Sequence, residues 1–570
     1  MKNIFIAIGG SGAKVADALV RLLAVGFPLT KDEQSLTSVN AGTMEVWVID
    51  PDIDSAARAE LSKTIGQYQH LTELLGDKWA MRIAADAPRV FNPLNLPGPN
   101  NQGKTLKALL SLGGDHSAEP FLHLYYTPRE LEIEINRGFY QKPFIGSAVM
   151  AMFADSLTRS REQAGTQDIF NQLKTEDVRF FLCGSLHGGT GASGIPVMGE
   201  FLKASKGTGE NVANWTVGAC LLAPYVLPLG PPFEPLKDEE ITEDLIKKKA
   251  EFFDVKNKAS APYRFAYESL GDSEKKQLIK QVLLGFFAKP EEISGRAHQA
   301  VLYYQNNVIK QKGTEGGAVF DDIYMIGKPR PIQLETWSNG GKSQINPLDS
   351  AEVAAALTAL SFFSGASPAV GNDYVVAAST EGDPERDADR LTENMELRDL
   401  PLYGKDGFEP ESAFLATASI LHFVQHEIPW NVPARRWTGL DRLRRQYLSR
   451  EGEHNKQSDA KAFNQATRII SALAKSLIDP MNTKGWRAET FRSLDQILTG
   501  RLAEMLEKRG VFDDSPKGSL GIGSAALTVS AFEVGKWFPN TASGSVSKGE
   551  YLRFLWSRAY ECITQNVHAN

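Results

Sequence analysis

Residues 180–203 read FFLCGSLHGGTGASGIPVMGEFLK. Val178 to Cys183 form a short apolar run of the kind a buried strand carries. A glycine-rich turn follows, Gly188-Gly189-Thr190-Gly191-Ala192-Ser193-Gly194, and then apolar residues at helical spacing from Ile195 to Ala204. A further apolar run, Trp215 to Leu222, closes the unit. Strand, loop, helix and strand in this order make a crossover, the connection that two parallel strands require.

The N-terminus repeats the pattern. Asn3 to Ile8 read as a short buried strand, Gly9-Gly10-Ser11-Gly12 follow, and a helix is predicted from Ala13 to about Val25. Met44 to Ile49 read as a second strand ending in Asp50-Pro51-Asp52, with helical pattern from Ser55 to Leu75. Prolines and asparagines make Pro88 to Gly103 a loop, and a helix is expected over 104–112. Beyond the central unit come a helix over 296–311, a strand from Asp322 to Gly327 and a helix from Leu348 to Phe363. Strands alternating with helices predict an α/β fold with a doubly wound, mainly parallel sheet. It spans residues 1–365, with insertions at about 115–175 and 228–295. After residue 365 the pattern changes. One strand-like piece, Tyr374 to Ala378, is followed by amphipathic stretches at 411–428 and 458–508, so 366–570 read as a mainly helical second domain.

At 570 residues the chain exceeds what one growing core supports, in line with two domains. A formal net charge of -7 argues against nucleic acid as the main partner. No run of 18 apolar residues occurs, so no membrane span is expected. The three cysteines, Cys183, Cys220 and Cys562, are too widely spaced for a disulfide framework or a zinc knuckle. A reducing cytoplasm is the expected location.

Each glycine cluster leaves a strand and opens a helix. Backbone N–H groups without side chains around them can close on phosphate oxygens, and the helix N-terminus adds partial positive charge. A tight strand–helix turn with no ligand is the other reading of the first cluster alone. Two such loops facing one crevice suit a polyphosphate better than either does singly. Thr190 and Ser193 would add hydroxyl donors.

Four stretches in order, IAIGGSGAKVADALVRL, VWVIDPDIDSA, FFLCGSLHGGTGASGIPVMGEFLK and WTVGACLLAPYV, resemble the tubulin and FtsZ superfamily, and most closely its divergent bacterial members. GGTGAS is similar to the tubulin signature GGGTGSG, with His187 where the first glycine would stand. The resemblance implies a site for GTP or GDP with Mg²⁺. Gly10, Ser11 and Gly12 would form the first phosphate loop. Asp50 and Asp52 would belong to the second loop, with Asp52 holding Mg²⁺ through water; Asp52 also reads as a turn residue after Pro51. Gly98, Asn100, Asn101 and Gly103 would approach the γ-phosphate. Gly188, Gly189, Thr190, Gly191 and Ser193 would form the signature loop. The loop after Ala223-Pro224-Tyr225 would lie near the ribose. Asn346 would read the guanine edge, and equally it reads as a helix N-terminal residue with no ligand. Valine at Gly10 or Gly189 is expected to abolish binding and spare the fold.

Gly98 to Thr105, GPNNQGKT, matches the Walker A letters, but the preceding FNPLNLP cannot be a central strand. A dinucleotide fingerprint fails at Val15, where a third small residue belongs. His422 and His426 have metal spacing on a helix, with no third ligand in sight. The family's junctional acid, in a GxxNxD-like loop, has no match; Asp373 in Gly371-Asn372-Asp373 is the one substitute. Two function classes follow. One is a GTPase that self-assembles and hydrolyses slowly at a subunit junction. The other is a non-hydrolysing nucleotide-bound scaffold or sensor within a multi-protein system, such as the phage-defence assemblies the bacterial relatives suggest.

Overall fold

The computed structural model describes residues 2–24, 43–52, 54–75, 81–95, 105–110, 119–159, 173, 176–205, 214–287, 289–304, 319–327, 331–344 and 346–364, together with six residues between 465 and 477. Its centre is a six-stranded, wholly parallel sheet. In chain order the strands are β1 (Lys2–Ile8), β2 (Met44–Ile49), β3 (Arg89–Phe91), β4 (Val178–Ser185), β5 (Trp215–Leu222) and, after a two-residue β6 (Val226–Leu227), β7 (Asp322–Ile326). In space they run β3-β2-β1-β4-β5-β7. A short parallel pair of β6 with β8 (Ile332–Gln333) stands apart from this sheet.

Strands in such a sheet are covered on both faces, which is why β1, β2, β4 and β5 read as continuous apolar runs. Alternate residues point to opposite faces. Ile4, Ile6, Ile8, Phe180 and Leu182 join one core with Ile145, Val149, Met198 and Phe201. These belong to helices α6 (Pro143–Arg159) and α7 (Gly189–Ser205). On the other face Phe181 packs against Phe362 and Phe363 at ring separations of 5.2 and 6.0 Å. There lie α1 (Gly9–Ala24), α2 (Ala56–Leu75) and α12 (Ser350–Ser364).

Between β3 and α6 come the short helices α3 (Leu106–Leu110), α4 (Glu119–Tyr125) and α5 (Pro128–Leu131). The crossover from β5 to β7 carries α8 (Glu243–Ala250), α9 (Ala261–Glu268), α10 (Asp272–Leu283) and α11 (Pro290–Tyr303). Part of this crossover builds a small core from Phe233, Ile246, Phe253, Leu278 and Val282, to which Trp337 from beyond β7 is added. The insertion expected at 228–295 is therefore a compact unit. By contrast α6, inside the insertion expected at 115–175, is a sheet-covering helix that packs along α7.

Three local expectations need correction. Part of the Pro88–Gly103 loop is strand β3, paired in parallel with β2 through Trp47↔Arg89 to Ile49↔Phe91. The helices begin at Gly9 and Gly189, so the glycines form first turns instead of preceding them. The helix expected over 296–311 starts earlier, at Pro290. The six described residues of the C-terminal region, 465, 469, 472, 473, 476 and 477, are helical and spaced as one helix face. Ser476 accepts a hydrogen bond from Arg21 of α1 at 2.7 Å, Gln465 pairs with His70 of α2 at 2.8 Å, and Leu473 and Leu477 are buried. The remainder of 366–570, with His422, His426 and Asp373, lies outside the described residues. Among the described residues no helix is long and apolar enough to cross a membrane. Cys183 and Cys220 face each other in register on β4 and β5 as buried free thiols.

Candidate functional site

β1 and β4 are neighbours, yet the helices that follow them cover opposite faces. A crevice opens at such a switch point, outside the carboxyl ends of the strands. Both glycine loops stand there and touch. Gly9 has φ +72°, and a carbon added to it would lie 3.1 Å from Thr190 Cβ. Gly12 lets α1 approach the sheet: an added carbon would fall 2.4 Å from the Cys183 carbonyl oxygen. The N-termini of α1, with 16 residues, and α7, with 17, thus converge, and the unpaired N–H groups of two first turns face one space.

Two more segments reach this point. Tyr225, buried in the loop after β5, donates to Glu352 Oε1 at 2.7 Å and stands beside the Ser11 hydroxyl. Burial first, and then the Glu352 charge, push the Tyr225 phenol well above its ordinary range. Glu352 is 0% exposed and also accepts from Lys14 Nζ at 2.9 Å and from Asp349 N–H at 2.7 Å. Lys14 Nζ donates further to the Pro347 carbonyl at 3.2 Å, which seats the half-buried Asn346 beside α1. Gly10, Ser11, Gly12, Gly188, Gly189, Thr190 and Gly191, Tyr225 and the Asn346 segment therefore stand around the same end of the sheet. Lys14 and Glu352 were not foreseen. Each stands in the first turns of a largely apolar helix, which is the signal that could have found them, because a buried charge needs a partner.

Ser193 departs from expectation. Its hydroxyl donates to the Gly189 and Thr190 carbonyls at 2.7 and 3.2 Å, so it is spent on its own helix. Gly98, Asn100, Asn101 and Gly103 lie outside the described residues.

Asp50 and Asp52 follow β2 on the flank of the crevice. Asp50 accepts the Asp52 N–H at 3.1 Å, and burial raises its carboxyl to about 7. Asp52 accepts from Asp54 N–H through one oxygen at 3.1 Å and from Gly341 N–H through the other at 2.6 Å. Burial raises its carboxyl and these two hydrogen bonds oppose the shift. Asp52 is thus first a latch holding the 339–343 turn, close to the turn-residue reading. Each oxygen retains a further lone pair, which leaves room for a water carried by a magnesium ion. No cluster of three or more His, Cys, Asp or Glu with metal-binding geometry occurs among the described residues.

His187 opens the second loop. It is 8% exposed, its ring stands edge-on to Tyr225 at 6.1 Å, and its Nδ1 is buried with no hydrogen-bond partner. Burial lowers its pKa to about 4, so the ring is neutral at physiological pH. The unfolded chain takes up this proton near the ordinary value of about 6.5, whereas the folded chain resists it until about 4. Stability present above the upper value is therefore lost as pH falls through this window. Relative to His187→Gln, the wild-type chain is expected to lose up to about 3 kcal/mol between these values. Thermal melts of both proteins across that range check this; parallel pH profiles would rule out His187 as the source.

No family model, curated protein or solved structure matches the chain.

Proposed function

We propose that the chain binds a guanine nucleotide, GTP or GDP with Mg²⁺, in the crevice where Gly9 meets Thr190. The observation that carries this reading is that contact: two glycine loops, each opening a long helix, side by side at a switch point. The phosphates lie over the first turns of α1 and α7, the ribose beside Tyr225, and the base toward Asn346, whose amide can donate and accept along a purine edge. The nucleotide favours self-assembly by binding the assembled form more tightly than the free one. Hydrolysis is slow, because the sequence has no match to the GxxNxD-like loop whose acid orients water in the family it resembles. The non-hydrolysing scaffold is kept as the second reading because both Asp52 oxygens already hold backbone N–H groups.

Isothermal titration with GTP, GDP and ATP, followed by light scattering and phosphate release on the same samples, tests the proposal. GTP is expected to bind at least about tenfold more tightly than ATP, a difference of about 1.4 kcal/mol. Scattering should rise with GTP and with a non-hydrolysable analogue, with little phosphate released. Equal affinity for ATP sinks the guanine assignment, and a monomer with every nucleotide at micromolar concentrations sinks self-assembly.

A further inference from the structure

The segment joining α5 to α6 lies against the second glycine loop. A carbon added at Gly138 would sit 3.9 Å from Thr190 Oγ1, and one added at Gly189 would sit 2.7 Å from Phe139 Cβ. The backbone here is left-handed at Gly138, Tyr140 and Gln141, with φ of +101°, 47° and 57°. Such a conformation is disfavoured for tyrosine and glutamine and persists only where the surroundings impose it. Phe139, 1% exposed, anchors the segment beneath α7, and the Gln141 carbonyl accepts from Arg296 at 2.8 Å. Arg137 is held at the lip of this wall. It borders a polar cleft of about 340 Å³ shared with Asp52, Asn92, Asn136, Gly340 and Lys342. Its guanidinium Nη2 pairs with Glu274 Oε1 at 3.0 Å, the two side chains being 28% and 55% exposed.

We propose that Arg137 reads the terminal phosphate of a bound nucleoside triphosphate, exchanging Glu274 for phosphate oxygens. The inference rests on the nucleotide reading of the glycine loops and adds to it a residue that discriminates triphosphate from diphosphate. Gly9, Thr190 and Gly138 form one continuous wall. A polyphosphate that starts over the two helix N-termini and runs toward Gly138 delivers its last group to Arg137. The guanidinium fork matches two phosphate oxygens at once. A solvent-exposed carboxylate pair is worth little, so giving up Glu274 costs little. Three carboxylates, Asp52, Asp54 and Glu274, line the cleft beside Arg137 and Lys342; of these Asp52 already has backbone N–H donors on both oxygens. The segment is fixed before the ligand arrives, which limits the ordering cost of binding.

Titration of the full chain with GTP and GDP, for wild type, Arg137→Ala and Glu274→Ala, decides the matter. Arg137→Ala is expected to weaken GTP by about tenfold, as for one lost charge-assisted contact, and to change GDP by less than about twofold. Glu274→Ala frees the guanidinium and is expected to leave GTP affinity equal or raised. If Arg137→Ala weakens both nucleotides equally or neither, Arg137 does not read the terminal phosphate. If Glu274→Ala costs GTP as much as Arg137→Ala does, the ion pair acts as a structural tie and the proposal is overturned. A wild-type chain that binds neither nucleotide overturns the nucleotide reading itself, and this proposal with it.

Discussion

Gly10→Val is expected to weaken nucleotide binding by more than about a hundredfold, about 2.7 kcal/mol, while the fold survives. The position separates the two effects. A carbon added at Gly10 meets nothing within 4 Å, so the folded chain accommodates it. That open space lies over the first turn of α1, where phosphate oxygens would approach the backbone. A branched side chain there would push them off at least two N–H groups, and each charge-assisted hydrogen bond is worth about 1.5–3 kcal/mol. Gly189→Val, expected from the sequence to act in the same way, is a poorer test. Its added carbon would fall 2.7 Å from Phe139 Cβ and 3.0 Å from the Phe139 carbonyl oxygen, so the 136–142 segment must shift. Circular dichroism melts and nucleotide titration of Gly10→Val belong together. Unchanged binding in a folded variant would remove the phosphate site from α1.

The parts of this architecture that were legible in the sequence are those whose physics is local. β1, β2, β4 and β5 are buried on both faces, so their side chains are apolar whichever way they point. The exception, β3, is three residues long and lies at the sheet edge, with Arg89 and Val90 exposed and Pro88 and Asn92 on either side. Nothing in such a run separates an edge strand from a loop. The starts of α1 and α7 were misplaced because glycine is a poor helix former. Tertiary packing overrides that preference: Gly12 is needed where α1 passes the Cys183 carbonyl oxygen. The glycine loops announced themselves through composition, but their partners did not. Lys14 and Glu352 are 338 residues apart, and only the fold brings them together. The left-handed run after Arg137 contains Tyr140 and Gln141, residue types that carry no signal for that conformation.

The Lys14–Glu352 pair should be costly to break from one side. Glu352 is 0% exposed and its Oε1 receives both the Lys14 ammonium and the Tyr225 hydroxyl. In Lys14→Met the carboxylate keeps Tyr225 and the Asp349 N–H but loses its only cation among the described residues. Removing one partner of a buried pair costs about 3–5 kcal/mol, because an uncompensated charge stays behind. Replacing both partners is much milder, since the desolvation penalty leaves with the charges. Lys14→Met is therefore expected to lower the first thermal transition markedly, and Lys14→Met with Glu352→Gln to recover most of the loss. The glutamine keeps an acceptor for Tyr225, so the phenol is not orphaned in exchange. A chain of this size need not unfold in one step, so the comparison uses the transition temperature and not a single free energy. The same variants bear on the site, because Lys14 also holds the Pro347 carbonyl beside Asn346. If the pair serves only stability, the double variant should bind nucleotide as the wild type does. If Lys14 positions the Asn346 segment, the double variant should regain its transition temperature and still lose the preference for GTP over ATP. Equal stability of the single and double variants would show that the two charges are not coupled at all.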